Sequence, residues 1–141
     1  MLLAVDPGDT AGWATFEDGY HIDDGQITGA NDFAQFCAQL MSSKIDTIVI
    51  EDYKLMPHKA QQQAGSRFQA VQQIGMLKLL AKVVGAELVL QGPDKYPIGL
   101  LLAGKTMPKD HKKSHHVVAY AHGWYYLVQQ GLVSPVEPNL D

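Results

Sequence analysis

The 141 residues suit one domain, and a hydrophobic share of 46% against 18% charged excludes a chain dominated by disorder. No apolar run approaches the roughly 18 residues of a membrane span, and the single cysteine, Cys37, excludes both an intramolecular disulfide and a cysteine-rich zinc cage. The net charge of −4 conceals an asymmetry, because residues 1–52 hold ten acids against Lys44 alone while residues 53–116 hold ten bases against three acids. Carboxylates separated from a cationic middle suit a metal-dependent enzyme working on a phosphate backbone. A solvated helix face with scattered lysines is the plainer alternative. Met1 to Asp6 lacks the basic flank and the length of a signal peptide, so a cytoplasmic protein is expected.

In chain order, Leu2 to Val5 is a short apolar run that ends at the turn Asp6-Pro7-Gly8. After a break at Gly12, Trp13 to Phe16 forms a second strand. Glu17-Asp18-Gly19 turns the chain into a third, edge-like strand from Tyr20 to Thr28. Asn31 or Asp32 caps a helix through Phe33, Phe36, Cys37 and Leu40. Thr47 to Ile50 is β-branched throughout, the mark of a buried strand, and ends at Glu51-Asp52. A long helix runs from about Lys59 to Val84 and closes at Gly85. Glu87 to Gln91 is the next strand, and Pro97 to Ala103 a short helix. The segment 104–113 is basic loop, and Ser114 caps a last helix reaching about Gln130. Residues 1–132 are thus one domain and 133–141 a tail. Three strands joined by short turns are antiparallel, and two αβ crossovers add parallel strands. The expected fold is α/β, a five-stranded mixed sheet flanked by helices.

Asp6 and Glu51 each end a hydrophobic strand. If those strands are neighbours, both carboxylates emerge at one sheet edge, where a cation between them offsets their repulsion; hard oxygen ligands favour Mg²⁺ or Mn²⁺. Taken singly, each acid is equally well a solvated turn or strand end. Gly8 and Gly12 let backbone approach a ligand on either side of Thr10, whose hydroxyl can donate to a phosphate. His115, in the first turn of the last helix, offers an imidazole to a divalent ion. His111 lies four residues earlier, but nothing at suitable spacing completes a tetrahedral zinc set. His122 sits seven residues after His115, on the same helix face about 10 Å further on, and reads as packed or supporting rather than as a ligand of the same ion. Lys105, Lys109, Lys112 and Lys113 form a basic approach to this site, and Lys59, Arg67 and the glutamines 61–63 could track a nucleic-acid backbone.

In this order the motifs resemble the RuvC-like Holliday-junction resolvases of the ribonuclease H-like superfamily, especially the compact phage-borne versions. The resemblance runs from Leu3-Ala4-Val5-Asp6-Pro7-Gly8 with Thr10 and Gly12-Trp13, through Ile48-Val49-Ile50-Glu51-Asp52-Tyr53 and Gln73-Ile74-Gly75. It continues through Leu88 to Pro93 and ends at Ser114-His115 and Ala119 to His122. It implies a homodimer that cuts four-way or other branched DNA with two metal ions. Asp6 would bridge the ions, Glu51 would hold one of them, and His115 would fill a third site position. The family's further carboxylate, three residues later, is Val118 here. Asp52, Asp110, His116 or water would then substitute, or metal binding is weak, or the protein binds branched DNA without cutting it efficiently. A sugar-kinase-like or actin-like ATPase shares the acidic strand end and glycine turn but needs two such domains.

Overall fold

The computed structural model describes residues 1–52, 60–104 and 115–135, with side chains from residue 68 onward in the second of these segments. Leu2–Asp6 (β1), Thr10–Glu17 (β2) and Tyr20–Thr28 (β3) form an antiparallel meander. Thr47–Glu51 (β4) and Glu87–Gln91 (β5) add two parallel strands on the other side of β1, giving the order β3-β2-β1-β4-β5. The meander is tight because Asp18 (φ 52°) and Gly19 (φ 81°) both take left-handed backbone between the paired residues Glu17 and Tyr20. This is the geometry that two-residue hairpin links demand. The helices are Ala30–Leu40 (α1), Ala60–Val84 (α2), Lys95–Leu102 (α3) and His115–Gln129 (α4).

The central strands are apolar on both faces because both faces are covered. Leu3, Val5, Ile48 and Ile50 pack on one side with Phe33 and Cys37 of α1 and Leu77, Leu80 and Ala81 of α2. Leu2, Ala4, Ala14, Phe16 and Val49 pack on the other with Ala119 and Leu127 of α4. Val133, assigned to the tail from sequence, packs against this second core.

Several boundaries differ from the sequence expectation. Gly12 does not break a strand: β2 begins at Thr10 and runs through it, for a reason that belongs to the site. The first helix starts at Ala30 after Gly29 (φ 95°), with no side-chain cap from Asn31 or Asp32. The short helix starts at Lys95, two residues ahead of Pro97; proline is tolerated in a first turn, where amides lack helical acceptors anyway.

Candidate active site

One row of residues crosses the sheet near the carboxyl ends of β1, β4 and β5. Gln26 lies opposite Gly12, Gly12 opposite Asp6, and Glu51 beside Gln91. The β1–β4 register pairs Val5 with Ile50 and, carried on one residue, sets Glu51 beside Asp6. Ala4 and Val49 stand two residues before these acids and face α4, so the period of two turns both carboxylates toward α4 as well.

Helix α4 crosses the row. It begins directly on Gly12, where any Cβ would overlap the His115 carbonyl group. That close approach brings His115 Nδ1 to 2.8 Å from Asp6 Oδ2. The His115 backbone N–H, one of the amides a helix start leaves open, donates to Gln26 Oε1 at 3.0 Å. Two turns later, His122 is fully buried, with Nδ1 2.7 Å from Gln91 Oε1 and Nε2 3.5 Å from Glu51 Oε2. Seven residues advance a helix by about 10.5 Å and two strand spacings cover about 9.5 Å. The two imidazoles therefore bracket the Asp6–Glu51 pair.

The turn after Asp6 is fixed from α2. Gln73, nearly fully buried, accepts from the Gly8 N–H at 2.9 Å and donates to the Gly8 carbonyl at 2.8 Å. One side-chain amide thus satisfies both backbone groups of a buried turn.

Burial pushes the Asp6 carboxyl up to about 8; Glu51 beside it adds to the rise and His115 opposes it. For Glu51, burial also raises the carboxyl, but bonding to His122 and Asp6 outweighs it and leaves the group below its ordinary range. Two desolvated carboxyl groups in contact hold one proton between them, since both cannot ionise without a counter-charge. Among the described residues no three His, Cys, Asp or Glu side chains are gathered into a preformed metal cage. The acids instead engage the two histidines and each other. A divalent cation fits this donor set by replacing the shared proton: carboxylate oxygens and imidazole nitrogen are both ligand types for Mn²⁺, and the carboxylates for Mg²⁺.

Asp6, Glu51 and His115, widely separated in the chain, are thus brought together. His122 joins them beside Glu51 rather than beside Asp6. Thr10 is half-exposed, its Oγ1 3.3 Å from Thr28 Oγ1 across the hairpin. Asp52 is tied to β5 by its backbone N–H, which donates to the Gln91 carbonyl at 2.6 Å, and its carboxylate makes no bond to the other acids among the described residues. His116 is half-buried, likewise without a bond to either acid among the described residues. Lys59, Lys105, Lys109, Asp110, His111, Lys112, Lys113 and Ser114 lie outside the described residues, as does the side chain of Arg67. Sequence reasoning missed Gln26 and Gln91 and did not see the role of Gln73. The signal available was position: Gln26 and Gln91 are polar side chains level with the acids on strands of matching register.

A mixed five-stranded sheet in the order β3-β2-β1-β4-β5, flanked by helices, has the ribonuclease H-like fold of RuvC. Among solved structures, the Thermus thermophilus RuvC in complex with Holliday-junction substrate superposes with a TM-score of 0.67 at 12% identity, covering 96% of this chain and 98% of that one. Another structure of RuvC from the same organism gives 0.65 at 13%, with 96% and 99% covered. The Fowlpox virus resolvase bound to its Holliday-junction DNA gives 0.60 at 12%, with 92% and 99% covered. At such identities the likeness is one of fold. No protein-family model matches the sequence, and no curated protein does.

Proposed function

We propose that this protein is a metal-dependent, structure-selective endonuclease that resolves Holliday junctions or other branched DNA by phosphodiester hydrolysis. The observation that carries the reading is the Asp6–Glu51 pair: two desolvated carboxyl groups at neighbouring strand ends, with His115 bonded to Asp6. Asp6, Glu51 and His115 would hold Mg²⁺ or Mn²⁺, two ions in all. Such ions supply an activated water and offset charge on the scissile phosphate and its leaving oxygen. The chain's own part is placement. Gln73 fixes the turn after Asp6, Gly12 lets α4 close on the sheet, and Gln26 holds the first amide of α4, so the donors need little rearrangement during reaction. Lys105, Lys109, Lys112 and Lys113, which precede His115 in the chain, are assigned to the phosphate backbone, with Lys59, Arg67 and Thr10. The neighbours of like fold that carry Holliday-junction DNA support branched DNA as the substrate.

A homodimer would present two such sites to opposing strands of a junction. Phe68, Val71, Leu79 and Val83 along α2 are each more than half exposed, an apolar stripe that a second copy would cover. Sedimentation of wild type against Leu79→Glu tests this: a dimer that becomes a monomer is expected, and a wild-type monomer at micromolar concentration with DNA present contradicts it.

The test of function is a labelled four-way junction incubated with Mg²⁺ or Mn²⁺. Wild type should give paired nicks in opposing strands with 5′ phosphates, and Asp6→Asn should bind the junction without cutting. Cleavage by Asp6→Asn at the wild-type rate overturns the mechanism. Val118, a half-buried hydrophobe one turn beyond His115, favours a second reading in which the protein binds branched DNA without cutting. Binding without product in either metal, with cleavage gained in Val118→Asp, would select that reading.

A further inference from the structure

We propose that His122 is itself a metal ligand, its Nε2 joining Glu51 on one ion while Gln91 fixes the tautomer of the ring. The inference rests on the metal-dependent reading above and adds a ligand to the Asp6, Glu51 and His115 set. An amide oxygen can only accept, so Gln91 Oε1 at 2.7 Å places a proton on Nδ1 of His122. In the neutral ring Nε2 then presents its lone pair, and what it faces is another acceptor, Glu51 Oε2, at 3.5 Å. Nε2 is buried and has no hydrogen-bond partner among the described residues, and the whole side chain is 0% exposed. Two lone pairs aimed at each other in a dry site are unfavourable unless a proton or a metal ion lies between them, and 3.5 Å is long for an N–H···O bond. Two donors that each bind one ion at about 2.1 Å from adjacent positions stand roughly 3.0–3.5 Å apart, which is the separation seen here. The other half of the arrangement is also that of a metal-bound histidine. Such rings donate their second N–H to an oxygen that fixes their orientation, and loss of that partner weakens metal binding 10- to 100-fold.

The position of His122 on α4 makes the assignment consistent with the rest of the row. His115 and His122 stand over Asp6 and Glu51 respectively, so each acid has an imidazole from the same helix. Val118 provides no donor, and His122, one turn further along, provides one. Ala119 between the histidines is fully buried and allows α4 to lie close enough for both to reach.

The experiment is Mn²⁺ binding to the full chain, read by calorimetry and by pulsed electron paramagnetic resonance on protein with ¹⁵N-labelled histidine. In the His111→Gln/His115→Gln/His116→Gln protein, histidine nitrogen coupling to Mn²⁺ should persist, and it should vanish when His122→Gln is added, which separates His122 from the remaining His21 and His58. His122→Gln should weaken Mn²⁺ binding at least 10-fold, and Gln91→Leu, which leaves the imidazole in place, 10- to 100-fold. Thermal melts in EDTA confirm that each variant is folded; if His122→Gln is not, the triple variant and Gln91→Leu decide the question. Mn²⁺ bound tightly by the triple variant with no histidine coupling, and unaffected affinity in Gln91→Leu, overturns the proposal while leaving the nuclease reading in place. Failure of wild type to bind Mn²⁺, or equal binding by Asp6→Asn, overturns both.

Discussion

Replacing Asp6 by Asn should stabilise the metal-free protein while removing its activity, and the gain should depend on pH. The folded chain holds the Asp6 carboxyl at about 8, against 3.8 for an unperturbed aspartate, because burial disfavours its charge. Between those values the folded state keeps a proton that the unfolded chain releases. Stability therefore falls as pH rises through this window, at about 1.4 kcal/mol per unit for one proton, and levels off above pH 8. Carried to pH 7, the penalty reaches at most about 4 kcal/mol. Coupling to Glu51 and the residual exposure of the site reduce this, so the measured gain should fall in the range of roughly 1–4 kcal/mol. Asn mimics the protonated acid: its amide N–H₂ donates to Glu51 and its oxygen still accepts from His115 Nδ1. Glu51 works in the opposite sense. Its lowered carboxyl contributes stability present above pH 4.5 and lost as pH falls through its folded value, so it acts on the acid side of the window. Chemical denaturation of both proteins in EDTA from pH 4.5 to 8.5 measures the effect, and taking the difference of the two curves removes the contribution of histidines common to both. The gain should be under about 1 kcal/mol at pH 4.5 and largest near pH 8, where it adds several degrees to Tm. Excess Mn²⁺ should stabilise wild type and leave the variant unmoved. Parallel curves, or an Asp6→Asn protein less stable than wild type at pH 8, would refute the reasoning.

Gly12→Ala drives a methyl into the His115 carbonyl and should cost about 1–3 kcal/mol by overpacking together with most of the cleavage rate, read by melts and by the junction assay. Wild-type activity in this variant would mean that α4 does not close on β2. Gln73→Ala leaves the buried N–H and carbonyl of Gly8 without partners and should cost about 2–3 kcal/mol, with faster hydrogen exchange at Gly8. Unchanged exchange would show that the clamp is not formed in solution. Burial pushes the Cys37 thiol up to about 11, so it should resist a thiol reagent at pH 8 until the protein unfolds. Labelling at the rate of a free thiol would contradict the packing of α1 on the sheet.

The strands were legible because their apolar runs are short, β-branched or closed by turn residues, and the acids stood out as the residues that end two such runs. From Leu3-Ala4-Val5-Asp6 and Ile48-Val49-Ile50-Glu51 alone, a common edge follows once β1 and β4 are neighbours. What sequence periodicity does not encode is how a helix crosses a sheet. His115 and His122 were seen to share a face, but 10 Å along a helix axis counted against a joint role only while the acids were treated as a point. The row from Asp6 through Glu51 to Gln91 spans two strand spacings, a similar length, so one helix reaches both acids. Gly12 was misread for a related reason. A glycine in a strand marks either a break or a place where another backbone comes close, and only the approach of α4, far later in the chain, decides between them. Gln26, Gln73 and Gln91 have no motif of their own; each gains its role from a partner at least 65 residues away, or, for Gln91, from His122 of α4, 31 residues on.

The most direct measurement of the central claim is anomalous diffraction from crystals soaked in Mn²⁺. Peaks should lie between the Asp6 and Glu51 carboxylates, with density linking them to His115, and should vanish in Asp6→Asn crystals under the same soak. Manganese bound elsewhere on the molecule, with Asp6 and Glu51 still joined by their shared proton, would contradict the account.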